Sequence, residues 1–363
     1  MKLTECYIGK PQLFSMFFTT QIHFIQILFF LISCKEVTFP LFPKGVSSVM
    51  TGWEGKRSLS ATECQKCHTE THSQWKEGMH AKAWTDPLFQ NAFRIERQEW
   101  CVNCHAPLQE QKKEFLTKNY SGESLLNEGI NCVSCHVRKG KVLGFKNFEN
   151  EFHEVIKFDY LSTSEFCENC HQFNFPRFEK KQIHYSTEPM QNTFTEWKNS
   201  SSTRTCQDCH YDGHKLLGNH TPERLKKDFS DIEYEFSDKG LLHISLRLKN
   251  NRAHILPTGD LFHSIQLEIG TDPNYKTIHY RKKWARTYGI GNISGNTFWN
   301  RTLIRNTGLT PNDELISLTI DAPNSNKPLY ARLVYYFHDE ELGGRNDLPS
   351  KEKMFIIREK VLR

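Results

Sequence analysis

One pentapeptide pattern, Cys-x-x-Cys-His, occurs five times in this chain, and no other feature restricts its possible folds as strongly. The copies are Cys64-Gln-Lys-Cys67-His68, Cys101-Val-Asn-Cys104-His105, Cys132-Val-Ser-Cys135-His136, Cys167-Glu-Asn-Cys170-His171 and Cys206-Gln-Asp-Cys209-His210. They take up ten of the twelve cysteines, and the other two, Cys6 and Cys34, lie near the N-terminus. Two cysteines three residues apart share one helical turn, so both sulfurs reach one edge of a planar macrocycle. The histidine that follows is carried under the ring centre and offers an axial nitrogen to a metal. The pattern therefore points to covalent attachment of five haem c groups, with His68, His105, His136, His171 and His210 as proximal iron ligands. Cys₄ zinc sites are the other use of so many thiols, but zinc does not call for a histidine after every second cysteine.

A second axial ligand must come from elsewhere. Of the seventeen histidines, twelve lie outside the motifs, and one of those, His23, sits in the N-terminal apolar stretch. Enough remain for histidine on both sides of every iron. The distal candidates are His80, in Trp75-Lys-Glu-Gly-Met-His80-Ala; His214 and His220, just after the fifth motif; and His153, His184 and His254. His254 lies between Asn250-Asn251 and Pro257-Thr-Gly-Asp260, where a rigid turn would fix its direction. For each of these the alternative is an ordinary histidine that hydrogen-bonds backbone or faces solvent. His72, four residues after His68, is expected at the surface, as are His243, His263, His279 and His338.

The N-terminus carries Lys2 and Lys10, then an apolar run over 22–33 that ends at Cys34. A charged start followed by an apolar core is the pattern of an export signal. Leu31-Ile32-Ser33-Cys34 resembles the bacterial lipobox, which makes Cys34 the expected lipidation site; a simple cleaved signal and an uncleaved anchor are the alternatives. All three place the remainder outside the cytoplasm, on the periplasmic side of a bacterial membrane or at the outer surface. The net charge of +5 over 363 residues is small and spread out, without a basic stripe, so nucleic acid is not implied.

The organisation expected along the chain follows these signals. Residues 1–34 form the signal peptide with its lipobox, 35–58 a Pro- and Gly-containing tether, and 59–225 a pentahaem domain made of helices and loops. Helices are expected over Thr62–Ala83 and Gln109–Lys118. Residues 226–240 read as a charged linker. From Leu241 to the C-terminus apolar residues alternate with polar ones, at Ile244, Leu246 and Leu248, at Ile265, Leu267 and Ile269, and at Ile316, Leu318 and Ile320. Leu329 to Phe337 and Met354 to Ile357 are further strand candidates. Period-two runs broken by turn residues predict an antiparallel β-sandwich over 241–363. The fold class is thus α+β and multidomain.

At these residues the chain resembles the cytochrome c-554 type of multihaem cytochromes. The similar stretches include Glu63 to His68 with Trp75 to Ala81, Cys101 to Leu108, Glu128 to Val137, Ser164 to His171, and Met190 to Trp197 leading into Thr205 to His210. Asn251-Arg-Ala-His254-Ile-Leu-Pro-Thr-Gly259 is similar to a segment that relatives carry at the entrance of a C-terminal β domain. The resemblance implies closely stacked haems and a role in electron transport. Its partners would be redox proteins or a quinol-oxidising complex, with the membrane reached through the lipid. The alternative function is a redox enzyme acting on a small nitrogen or sulfur compound, which would need one five-coordinate iron.

Overall fold

The computed structural model describes residues 2–8, 32–38, 51–53, 57–95, 99–118, 124–149, 152–179, 182–218, 221–248, 252–290, 301–311, 314–321, 327–339, 341 and 353–362. The chain divides into two compact units, Met1–Phe42 and Pro43–Arg363. In the first, β1 (Lys2–Ile8) pairs antiparallel with β2 (Ile32–Thr38), in a register that sets Cys6 opposite Cys34. The apolar run expected as a signal core lies outside the described residues up to Leu31, and its last two residues, with Cys34, are in β2.

The second unit begins with short helices that carry the motifs. They are α1 (Ala61–Gln65), α2 (Thr69–Glu77), α3 (Met79–Lys82), α4 (Pro87–Ile95), α5 (Val102–His105), α6 (Gln109–Thr117), α7 (Cys132–His136), α8 (Glu165–His171), α9 (Thr193–Lys198), α10 (Cys206–His210) and α11 (Pro222–Asp228). The helix expected over Thr62–Ala83 is broken into α1, α2 and α3, because His68 and Gly78 both leave helical geometry. The expected helix over Gln109–Lys118 is α6; Lys118 closes it with a left-handed φ of 55°.

Two β elements inside the motif region have no period-two signal in the sequence. A small sheet, in the order β3 (Val137–Arg138), β4 (Lys141–Gly144), β6 (Glu154–Lys157), β5 (Phe148–Glu149), follows the third motif. A hairpin of β7 (Phe173–Glu179) and β8 (Gln182–Gln191) follows the fourth.

The C-terminal part is two antiparallel sheets. One has the order β14 (Glu314–Asp321), β10 (Leu241–Leu248), β9 (Glu233–Phe236). The other runs β13 (Arg301–Asn306), β12 (Ile278–Ile290), β11 (Ser264–Gly270), β15 (Tyr330–Tyr336), β16 (Met354–Val361). Their inner faces meet in one core: Leu242, Ile244, Leu246 and Leu248 from the first against Ile265, Leu267, Ile269 and Leu333 from the second. The expected sandwich is there, and β10 alternates buried and open positions as its sequence does.

One expectation needs correction here. Residues 226–240 are not a linker: Leu225, Phe229 and Ile232 are buried in the sandwich core, and β9 begins at Glu233. The charged residues of this segment hid a short apolar stripe. The polar residues of β11 are not exposed. Gln266 and Glu268 are buried, and Glu268 is held by Arg332 at 2.7 Å and accepts from the Tyr336 hydroxyl. Cationic and hydroxyl partners make that burial tolerable.

Candidate haem-binding sites

Three of the five motifs are set by a side-chain cap. Ser60 caps α1 by accepting from the Thr62 amide, Asn131 caps α7 through Ser134, and Thr205 caps α10 through Asp208. Motifs one and three are then tied together. Glu128 accepts from the Ala61 amide at 2.9 Å and from the Asn131 side chain at 2.7 Å, while Asn131 also donates to the Leu59 carbonyl. Motifs four and five are tied likewise. The Ser164 hydroxyl accepts from the Cys206 amide at 2.9 Å, and Gln207 donates to the carbonyls of Leu161 and Thr163.

These ties bring motif thiols from different copies into contact. Cys64 meets Cys132, Cys167 meets Cys206, and Cys104 meets Cys170. None of the ten motif cysteines is joined to another in a disulfide. Six of them meet in twos, and among the described residues no group of three or more histidine, cysteine or acidic side chains is arranged to hold a bare metal ion. Cys135 is half-buried, and desolvation pushes its thiol up to about 11.

Three motif histidines are oriented through Nδ1. His105 donates to the Ala83 carbonyl at 2.6 Å, His136 to the Leu143 carbonyl at 2.8 Å and His210 to the Leu217 carbonyl at 2.6 Å. A backbone acceptor on Nδ1 fixes the tautomer and leaves Nε2 as the free lone pair for a metal.

Four motif histidines face a second imidazole at one spacing. Ring centroids are 6.3 Å apart for His68 and His153, 6.5 Å for His80 and His171, 6.2 Å for His136 and His214, and 6.2 Å for His210 and His254. Face-to-face stacking can bring rings closer, as with Phe89 and His105 at 3.6 Å, while tilted and edge-on pairs such as Trp100 and Phe173 reach 6.1 Å. An iron bound to two imidazole nitrogens at about 2 Å, each about 1.1 Å from its ring centre, sets the centroids roughly 6.2 Å apart. The four pairs therefore fit bis-histidine haem iron. Their electrostatics agree with ligation by neutral imidazole. Burial lowers His80 and His171 to about 4, with neighbouring histidines adding to it, and burial lowers His254 to about 4 against the Ile255 carbonyl, which raises it.

Of the six distal candidates, His80, His153, His214 and His254 thus stand opposite motif histidines. His184 lies on β8 across from Arg177, and nothing of its side chain is described. His220 lies outside the described residues. His105 differs from the other four: its face is stacked on Phe89, and no imidazole among the described residues stands across from it.

The histidines expected at the surface divide. His243 and His279 sit at exposed positions on hydroxyl partners, as expected. His72 is buried against Trp75, His338 is buried against Phe262, and His263 packs on Tyr335 with Nδ1 donating to the Thr258 carbonyl. Their polarity misled, because each ring finds an aromatic neighbour that covers it. Sequence reasoning also missed the residues that hold the sites: Glu128, Gln111, whose buried amide bridges Leu108, Leu125 and Gly129, and Glu196, which binds the segment after His254.

Comparison with known proteins agrees with this geometry. Residues 63–137 match the family described as cytochrome c554 and c-prime, and residues 108–221 match outer membrane cytochrome MtrC/MtrF-like, domains II/IV. No curated protein matches. A solved structure, the penta-heme cytochrome c552 from Thermochromatium tepidum, superposes with a TM-score of 0.60 at 19% identity, over 84% of this chain and 99% of that one. The overall fold is thus shared over that span. Motif helices, three of the four histidine pairs and both family matches fall within residues 63–221, and this part of the chain is similar to multihaem c-type cytochromes of the cytochrome c-554 type, ahead of a C-terminal β domain.

Proposed function

We propose that this protein attaches five haems c, one at each Cys-x-x-Cys-His motif, and passes electrons among them on the outer side of a bacterial membrane. The observation that carries the reading is the recurrence of one 6.2–6.5 Å histidine spacing at four motifs. His68, His136, His171 and His210 serve as proximal ligands there, with His153, His214, His80 and His254 as their distal partners. When bound, haem c supplies a one-electron iron couple whose potential follows axial ligation, burial and hydrogen bonding. The protein's part is to hold each imidazole in one tautomer, to keep water from the rings and to set neighbouring motifs edge to edge. The contacts Cys64–Cys132, Cys104–Cys170 and Cys167–Cys206 support close packing of successive centres. Electrons would come from and go to redox proteins or a quinol-oxidising complex, and acylation of Cys34 would keep the molecule at the membrane. Spin-state analysis of the purified holoprotein tests the reading. At least four low-spin bis-histidine haems are expected, and fewer than four would overturn the pairing.

A second reading has its own observation. His105 is stacked on Phe89 and faces no imidazole among the described residues, which leave out the side chains of His184 and His220; this reading would require a five-coordinate haem at Cys101 and Cys104. An open iron supports redox chemistry on a small nitrogen or sulfur compound. It predicts one high-spin haem that takes up carbon monoxide. A fully low-spin protein that binds no carbon monoxide would leave electron transfer alone.

A further inference from the structure

His254 comes from the β-domain side of the chain, and its position depends on a contact with the haem region. Ile255, directly after it, donates its amide to Glu196 Oε2 at 3.3 Å. Thr258 donates its hydroxyl to the same oxygen at 2.7 Å and accepts from the Thr193 hydroxyl at 2.9 Å. Thr193 and Glu196 are the first and fourth residues of α9, one turn apart, so they present their side chains on one face. On its other side the segment is fastened to the sandwich. Leu256 is fully buried in the core and exchanges two backbone hydrogen bonds with Leu309, at 2.9 and 2.7 Å, while Arg286 donates to the Gly259 carbonyl. His254 is thus the residue just before a stretch of four that is gripped from both sides, and its own Nδ1 donates to Ile255 within that stretch.

The same helix leads into the fifth motif. α9 ends at Lys198, and Trp197 donates its indole N–H to the Arg204 carbonyl, which stabilises the turn before Cys206. Both imidazoles of the His210–His254 pair are therefore referred to one short helix, His210 through the covalent chain and His254 through Glu196. Accepting from a hydroxyl and an amide with one partly buried carboxylate oxygen is a strong arrangement, and losing the acceptor leaves two donors unpaired.

We infer that Glu196 is the positioning residue of the fifth haem centre: through Thr258 and Ile255 it holds His254 at axial distance, and so makes β-domain docking and ligation at His210 a single event. The inference rests on the reading that His254 is the distal ligand there. Without Glu196 the segment stays attached to the sandwich through Leu256 but is no longer registered against α9, and the imidazole spends more time off the iron.

The experiment uses the full-length protein with five haems verified by mass, in the variants Glu196→Ala, Glu196→Gln, Thr258→Val and His254→Ala. The readouts are low-temperature electron paramagnetic resonance and carbon monoxide binding to the reduced protein. Glu196→Ala should add a carbon monoxide phase absent from the wild type, about tenfold faster than any exchange at the other paired centres, and should perturb the low-spin signal that His254→Ala abolishes. Thr258→Val should do the same more weakly, and Glu196→Gln, whose amide oxygen still accepts, should behave as wild type. If Glu196→Ala and Thr258→Val leave both readouts unchanged while His254→Ala converts one haem to high spin, Glu196 does not position the ligand and the inference falls alone. A Glu196→Ala protein in which several haems change together would overturn it too, in favour of a general structural role. If His254→Ala keeps every low-spin signal, the ligand assignment fails and takes the inference with it. Should Glu196→Ala not accumulate, Thr258→Val decides, because it removes one hydroxyl and keeps the shape of the side chain.

Discussion

At the scale of single residues, burial and ligation separate from each other among the histidines. His72 is about as buried as a core residue, yet its ring lies on Trp75, whereas His80 faces His171 with ring centroids 6.5 Å apart. His80→Ala should therefore convert one low-spin haem to high spin and leave the other spectra unchanged. His72→Ala should leave every spin state unchanged and cost about 1–2 kcal/mol of stability through lost packing, read from denaturant unfolding. Gln111 is a residue of the second kind. Its amide donates to Leu125 and Gly129 and accepts from Leu108, all in a buried setting. Gln111→Ala strands three backbone groups and should cost about 2–3 kcal/mol without changing haem content, measured by mass and by unfolding together.

At the scale of elements, the motif helices are one to two turns long and have little intrinsic stability. What holds them is capping and the ties between copies. Asn131 does both, since it caps α7 and links it through Glu128 and Leu59 to α1. Asn131→Ala should cost about 1–2 kcal/mol, and its spectroscopic effect should fall on the first and third centres together. Thr205→Ala, which removes a more exposed cap on α10, should cost less, about 1 kcal/mol, and affect only the fifth. An equal effect of both substitutions on all centres would contradict this division into tied pairs.

At the scale of the whole molecule, the sandwich and the haem region are joined where Leu256 enters the core and His254 faces His210. A cavity in the sandwich should therefore be felt at one haem. Ile265→Ala, at a fully buried core position, should cost about 2–4 kcal/mol, and the high-spin fraction should rise at the fifth centre before the others as temperature increases. Simultaneous loss of all low-spin signals on heating would show that the two regions melt as one. The mass of the mature protein should exceed polypeptide and lipid by five haem units, and four or fewer after full maturation would refute the count.

The sequence by itself determined the attachment chemistry and the outline of the fold. Cys-x-x-Cys-His is a local code: sulfurs and axial nitrogen lie within one turn of chain, so nothing distant is needed to read it. The strands from Leu241 onward were legible for the same reason, because alternation has a period of two and β10, β11 and β14 express it. Even there, burial of Glu268 and the merging of 226–240 into the core depended on partners such as Arg332 that come from far along the chain. The second imidazoles belong wholly to the tertiary structure. His153 meets His68, His80 meets His171 and His254 meets His210 across separations that no periodicity encodes. A distal ligand needs only a nitrogen at the right point in space, and any segment that packs there can supply it. That choice is made by the contacts that bring the segment in, such as Glu196 with Thr258, and those contacts exist only once the chain has folded.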